Sequence, residues 1–182
     1  MSAKPPADKA DKAGKPAEPE IVWKKLTQDE LDKVAHAHAR YTQGKSGGAR
    51  ANLQMCDISH LKLTKAKLGD ANLNGARAIG VELEGANFKS ATLYGTDLSR
   101  ANLRKADLTR ADLRGAKLRG CDLSGAIMSE ADLRNGSLFT QDKQGNLARI
   151  NFDGPEAHAE LANLSGANLS NAKMSQMVAV QT

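Results

Sequence analysis

Four histidines (36, 38, 60 and 158), two cysteines and a regular series of aspartates are the side chains with chemistry to offer in this 182-residue chain. A metal site would need several of them on one side of one element. His36 and His38 are two apart in a helical stretch, so they point about 200° away from one another and make poor joint ligands. A catalytic carboxylate pair needs two acids whose surroundings differ. Six aspartates (57, 97, 107, 112, 122 and 132) keep a spacing in multiples of five, which suits solvated turns better than catalysis. Gly-x-Ser-x-Gly, phosphate-loop and dinucleotide fingerprints do not occur. The chain reads as non-enzymatic, with no metal and no cofactor, and the spacing of its aspartates points to the element that carries them.

Between Ala51 and Leu138 a five-residue phrase recurs eighteen times without losing register, as in Ala101-Asn102-Leu103-Arg104-Lys105 and Ala106-Asp107-Leu108-Thr109-Arg110. Leucine holds the central position in fourteen copies; the others have Ile58, Ala78, Phe88 and Met128. Alanine stands two before it, with Cys56, Leu61, Val81, Thr96, Cys121 and Gly136 as exceptions. A period of five fits neither a helix nor a plain strand. A spacing of two puts both apolar side chains on one face of an extended segment. The other three residues must then turn the chain so that the next pair also faces inward. Glycine two after the centre, as at Gly75, Gly95 and Gly115, supplies the freedom a corner needs. Asn or Asp just before the centre suits a side-chain bond to the turn backbone. Strict short repeats of this kind build stacked solenoids, here with a narrow Leu/Ala interior and a polar skin.

The phrase A(D/N)LXX resembles the pentapeptide-repeat family, over about half the chain continuously and again at Ala162-Asn163-Leu164, Ala167-Asn168-Leu169 and Ala172-Lys173-Met174. The resemblance implies an all-β solenoid, a right-handed quadrilateral β-helix with four repeats per coil and coils about 4.8 Å apart. Residues twenty apart would then stack. Leu61, Val81, Ala101 and Cys121 form one inward ladder beside Ile58, Ala78, Leu98, Leu118 and Leu138, and the bulk of Leu61 and Val81 fills the room Ala78 leaves. Cys56 and Cys121 would lie three coils, or roughly 15 Å, apart along the axis, and a disulfide needs Cα atoms within about 7 Å. They are expected to pack as small reduced thiols.

Around the repeats the chain divides into five parts. Residues 1–20 read as a disordered tail, 21–48 as an N-terminal capping helix and Gly-rich link, 49–140 as the β-helix, 141–161 as an insertion, and 162–182 as final repeats with a C-terminal cap. Thr27 and Glu30 form a capping box, stapled by Leu26 and Leu31, that starts a helix over about 27–42. Leu31, Val34, Ala35, His38 and Tyr41 share one face, a lid for the open edge of the first coil, with Trp23 sealing its rim. From Leu138 to Leu164 the spacing is one more than a multiple of five, so a segment is inserted. Ser137 to Thr140 and Leu147 to Phe152 read as arms of a hairpin, Gln141 to Asn146 as its tip, with Ala157-His158-Ala159 rejoining the coil. Met174, Met177, Val178 and Val180 make an apolar end that covers the last coil or mediates self-association.

Residues 1–20 lack the apolar stretch of a signal peptide and no segment approaches a membrane span. The expected setting is the cytoplasm, with no membrane partner. Residues 49–140 carry fourteen Lys/Arg against ten Asp/Glu. The coil-length segment 100–119 is sharper, with Arg100, Arg104, Lys105, Arg110, Arg114, Lys117 and Arg119 against Asp107 and Asp112. These cations form a basic girdle at mid-height. Members of the resembled family that protect DNA gyrase look like DNA through acidic surfaces, and this charge departs from that pattern. Three roles follow. The first is a non-enzymatic scaffold or interaction module that presents the girdle and the insertion (Phe139, Gln141, Asp142, Lys143, Arg149) to another protein. The second, by family analogy, is a gyrase- or topoisomerase-interacting resistance or immunity factor. The third is a binder of anionic partners or nucleic acid through the girdle, without interleaved aromatics to stack bases. The regular convex surface predicts no pocket.

Overall fold

All five amides of a repeat find acceptors, and the way they do so dictates the architecture. The computed structural model describes residues 22–134, 136, 138–141, 147–150 and 162–174. Asn102 donates to Val81 O in the coil before (3.0 Å), while Leu103 and Lys105 donate to Asp122 O and Ser124 O in the coil after (2.7 and 2.9 Å). Ala101 donates back to Leu98 O (3.0 Å) and closes the turn. The fifth amide, that of Arg104, donates to Oδ1 of Asn102 (3.2 Å). The same bond runs from Ser59 to Asp57, from Thr109 to Asp107 and from Ser165 to Asn163. This bond satisfies the one amide of the repeat that no backbone carbonyl reaches, so the Asn or Asp of the phrase is structural.

Parallel bridges join Asn52 to Asn72, Asp57 to Arg77, Lys62 to Glu82 and Lys67 to Asn87, and continue upward at the same offset of 20. One coil therefore holds twenty residues and has four faces, a four-sided β-helix. Every fifth residue from Met55 to Glu130 has positive φ, as the third place of a type II turn requires. Glycine adopts it without strain. Lys105 (φ 54°) and Arg110 (φ 59°) do so at roughly 1–2 kcal/mol each, offset by the inter-coil bonds that the corner aligns.

Inward columns of leucine (Leu63, Leu83, Leu103, Leu123) and of alanine (Ala71, Ala91, Ala111, Ala131) are buried. Val81 and Ala78 are fully buried, and Leu61 is partly so. An interior of crystalline density resists added volume, so Ala78→Leu is expected to cost about 1–3 kcal/mol and to lower the melting temperature. An unchanged or higher melting temperature would show that the site has spare room. Cys56 and Cys121 are free and buried, and burial pushes the Cys121 thiol up to about 12.

At the N-terminal end, β1 (Lys24–Lys25) pairs in parallel with β2 (Cys56–Asp57). The helix α1 (Gln28–Tyr41) follows, with the full capping box between Thr27 and Glu30 and with Leu26 and Leu31 buried. Gln28 does the work of a strand residue: its Nε2 donates to Lys62 O (2.9 Å) and its Oε1 accepts from Lys62 N–H (2.8 Å). Fully buried His38 accepts from Ala51 N–H at Nδ1 (3.0 Å) and donates from Nε2 to Gly69 O (2.8 Å). Tyr41 differs from its expected place on the buried face. As the last helical residue it is 48% exposed and stacks on His38 instead. Trp23 lies beside the solenoid wall, its Nε1 donating to Gly75 O (2.9 Å) under the Arg77 guanidinium.

At the other end, Asp122 pairs with Asn163, Ile127 with Asn168 and Asp132 with Lys173, an offset of 41 in place of 20. Between these rungs β3 (Leu138–Gln141) and β4 (Leu147–Ile150) pair antiparallel, Phe139 opposite Arg149. Residues 1–20, Asp142, Lys143, the segment 157–159, and Met177, Val178 and Val180 lie outside the described residues. Among the described residues no helix is long and apolar enough to cross a membrane.

Candidate interaction surface

Each corner of the solenoid forms an edge along its length. On one edge Ser59–His60, Ile79–Gly80, Ser99–Arg100 and Arg119–Gly120 stand above one another, joined by His60 N to Ile79 O, Gly80 N to Ser99 O and Arg100 N to Arg119 O (2.8–2.9 Å). The next residue in this register is Phe139, where β3 departs. By this register the insertion follows the edge that carries Arg100 and Arg119. Sequence placed these features at similar heights but not on one edge.

The seven cations of the girdle do not form a uniform positive ring. Arg114 pairs with Asp112 (2.7 Å) and Asp132 (3.9 Å) and covers the Tyr94 ring; the Asp112 bonds push its guanidinium pKa up. Arg104 pairs with Asp122 (3.6 Å) and Lys117 with Asp97 (3.8 Å). Arg100, Lys105 and Arg110 have no charged partner among the described residues, and each occupies a positive-φ corner of the same coil. The stems of Arg100 and Lys105 lie over Gly120 and Gly125 in the next coil. Stacking also builds a ladder of alternating sign, Lys25–Asp57–Arg77–Asp97–Lys117, along one face. From Asp57 to Lys117 the twenty-residue spacing held that signal.

The pairing makes stability depend on acid. The Arg134 side chain holds the Asp132 carboxyl down to about 2, and the Ser124 amide lowers that of Asp122. An unfolded aspartate titrates at about 3.9. Their contribution is therefore full above that value and is lost as pH falls through the lower folded values. The melting temperature is expected to drop from pH 4 to about 2, less steeply in Asp132→Asn; parallel profiles for the two proteins would contradict this.

Against expectation, the surface is not without a pocket. Where α1 leans on the first coil, an open groove of about 710 Å³ runs between Gln28, Ala35 and Ala39 on the helix and Lys62, Leu63, Lys65 and Lys67 on the coil. The small side chains of Ala35, Ala39 and Ala66 leave the space between the two walls unfilled. Repeat periodicity says nothing about how a helix docks, so the groove was not legible in sequence. Of the expected cap residues, Leu31 and His38 are buried and Val34 is half-buried against the same core. His36 is exposed. Among the described residues no three His, Cys, Asp or Glu are placed to hold a metal ion. For Phe139, Gln141 and Arg149 the structure gives strand positions.

The family model described as "Pentapeptide repeats" matches residues 66–104, 106–138 and 155–177, in eight copies. No curated protein matches the chain. Among solved structures, a pentapeptide repeat protein from the Arabidopsis thaliana thylakoid lumen is 24% identical, with 70% of this chain and 71% of that one aligned at a TM-score of 0.46. Rfr23 from the cyanobacterium Cyanothece 51142 is 26% identical (64% and 61% covered, TM-score 0.41). QnrB1, a plasmid-mediated fluoroquinolone resistance protein, is 21% identical (64% and 62% covered, TM-score 0.39). The chain spans less than two thirds of the length of these last two.

Proposed function

Because the chain belongs to the pentapeptide-repeat family, we propose that it is a non-enzymatic interaction module whose rigid four-sided rod presents one edge to a partner protein. The right-handed winding expected for the family, α1 as the N-terminal cap and a cytoplasmic setting for its two free thiols belong to the same reading. The observation that carries it is the meeting of two irregularities at one place. In the twenty-residue register the edge of Arg100 and Arg119 leads to Phe139, where the interruption begins, and Arg100, without a charged partner among the described residues, stands on that edge. A regular scaffold that departs from its rule at one edge offers that edge for recognition, and exposed cations add attraction for an acidic surface.

Affinity capture tests the reading with the full chain, a chain lacking residues 141–161, and an Arg100→Ser variant. The deletion is expected to fold. It sets Ala162 directly after Thr140 in the phase of the repeat, removing the 21 residues by which the offset of 41 exceeds one coil. A partner held by the full chain and lost from both variants supports the module; a partner retained by both removes it. A topoisomerase-directed role, by family analogy, has the positive charge of the middle coil against it. No effect on gyrase supercoiling or on its inhibition would end that role. Salt-dependent DNA binding lost in an Arg100→Ser/Lys105→Ser/Arg110→Ser variant, which strips three corners of the girdle, would instead favour a nucleic-acid binder.

A further inference from the structure

We infer that the groove between α1 and the first coil is a binding site for an extended acidic segment of a partner protein, which adds one β-bridge to the solenoid at Lys67. This site is separate from the Arg100 edge, and either could exist without the other. The first coil has four edge rungs facing the N-terminal end. That of Asp57 is filled by β1, with Leu26 N–H donating to Asp57 O (3.0 Å). That of Lys62 is filled by the Gln28 amide. The rungs of Asn52 and Lys67 have no backbone partner among the described residues. Lys67 shows its missing partner by geometry. Its neighbours Ala66 O and Leu68 N bond upward to Asn87 (2.9 and 2.8 Å), so its own N–H and C=O point down, at the wall of the groove.

Three features define the occupant. An unpaired rung is a template for an extended chain. The groove runs along α1 from Gln28 to Ala39, about 16 Å at 1.5 Å per residue, which matches about five extended residues at 3.3 Å each. Its coil wall carries Lys62, Lys65 and Lys67, all exposed and without an ion pair among the described residues, whereas Asp32 opposite is engaged by Gln28 (2.7 Å). Ala35, Ala39 and Leu63 make the floor apolar. A strand alternating carboxylates with small apolar side chains would meet the lysines with one set and the floor with the other.

The test is fluorescence anisotropy of fluorescein-labelled Glu-Val-Glu-Val-Glu with the full chain. Saturable binding is expected. It should weaken at least tenfold for Lys65→Ser/Lys67→Ser, for Ala39→Gln, which fills the groove without altering charge, and for the peptide N-methylated at its central glutamate. The Arg100→Ser/Lys105→Ser/Arg110→Ser variant should bind as the parent does. No binding at low salt would overturn the inference. So would binding that falls only with the lysine pair and ignores Ala39→Gln and N-methylation, because it would be attraction to surface charge. All substituted positions lie on the surface or the groove wall, and circular dichroism verifies that each variant is folded.

Discussion

Leu103→Ala is expected to destabilise the protein by roughly 3 kcal/mol, near the middle of the range for burying a cavity in place of a leucine side chain. Leu103 is fully buried in a column of leucines, between Leu83 below and Leu123 above. The amides of Asn102 and Leu103 tie three coils together, donating to Val81 O and Asp122 O. In a solenoid each unit contacts only its neighbours, so a defect at mid-height interrupts stacking in both directions. Leu164, in the last described coil, is only partly buried, and Leu164→Ala should cost less than half as much. Urea denaturation of the two variants checks this. Equal losses would mean that the rod does not depend on continuity at its centre.

Gly48→Ala is the second large effect, and it acts on the helix rather than on the rungs. A Cβ at Gly48 would lie 2.6 Å from Tyr41 Cα and 2.7 Å from Arg40 C. Backbone atoms on both sides cannot yield as a flexible side chain would, so either the link or the last turn of α1 must move. The link is held there by Ala49 N–H donating to Ala37 O (3.0 Å). Moving it pulls on His38, whose two bonds satisfy Ala51 N–H and Gly69 O. Each buried group left without its partner costs roughly 1–3 kcal/mol. Loss of helical circular dichroism and faster proteolysis near α1 are expected. Gly44→Ala is the control. Open space surrounds that position, and only its positive φ penalises a side chain, by roughly 1–2 kcal/mol. Similar behaviour of the two variants would contradict the docked geometry.

Residues whose role is set by period are readable in the sequence. The inward Leu and Ala positions, the glycine corners and the Asn/Asp bonds all follow from needing to turn a chain every five residues while satisfying its amides. Thr27, Glu30, Leu26 and Leu31 marked the start of α1 by local chemistry alone. What escaped depends on contacts between elements with no common period. Gln28 replacing a strand residue at Lys62, and the groove left by Ala35 and Ala39, follow from how α1 packs. Arg104, Arg114 and Lys117 looked like free cations because each finds its aspartate either within the repeat or one coil away. Those distances become contacts only once the coil length is known.

Placing a photo-crosslinking residue at position 100 and, in a second protein, at position 90 on the opposite corner tests the central claim most directly. The proposal that one edge is the recognition surface predicts that position 100 captures the partner and position 90 does not. Deletion of 141–161 should abolish the capture. Crosslinking of equal yield from both corners would contradict a single recognition edge.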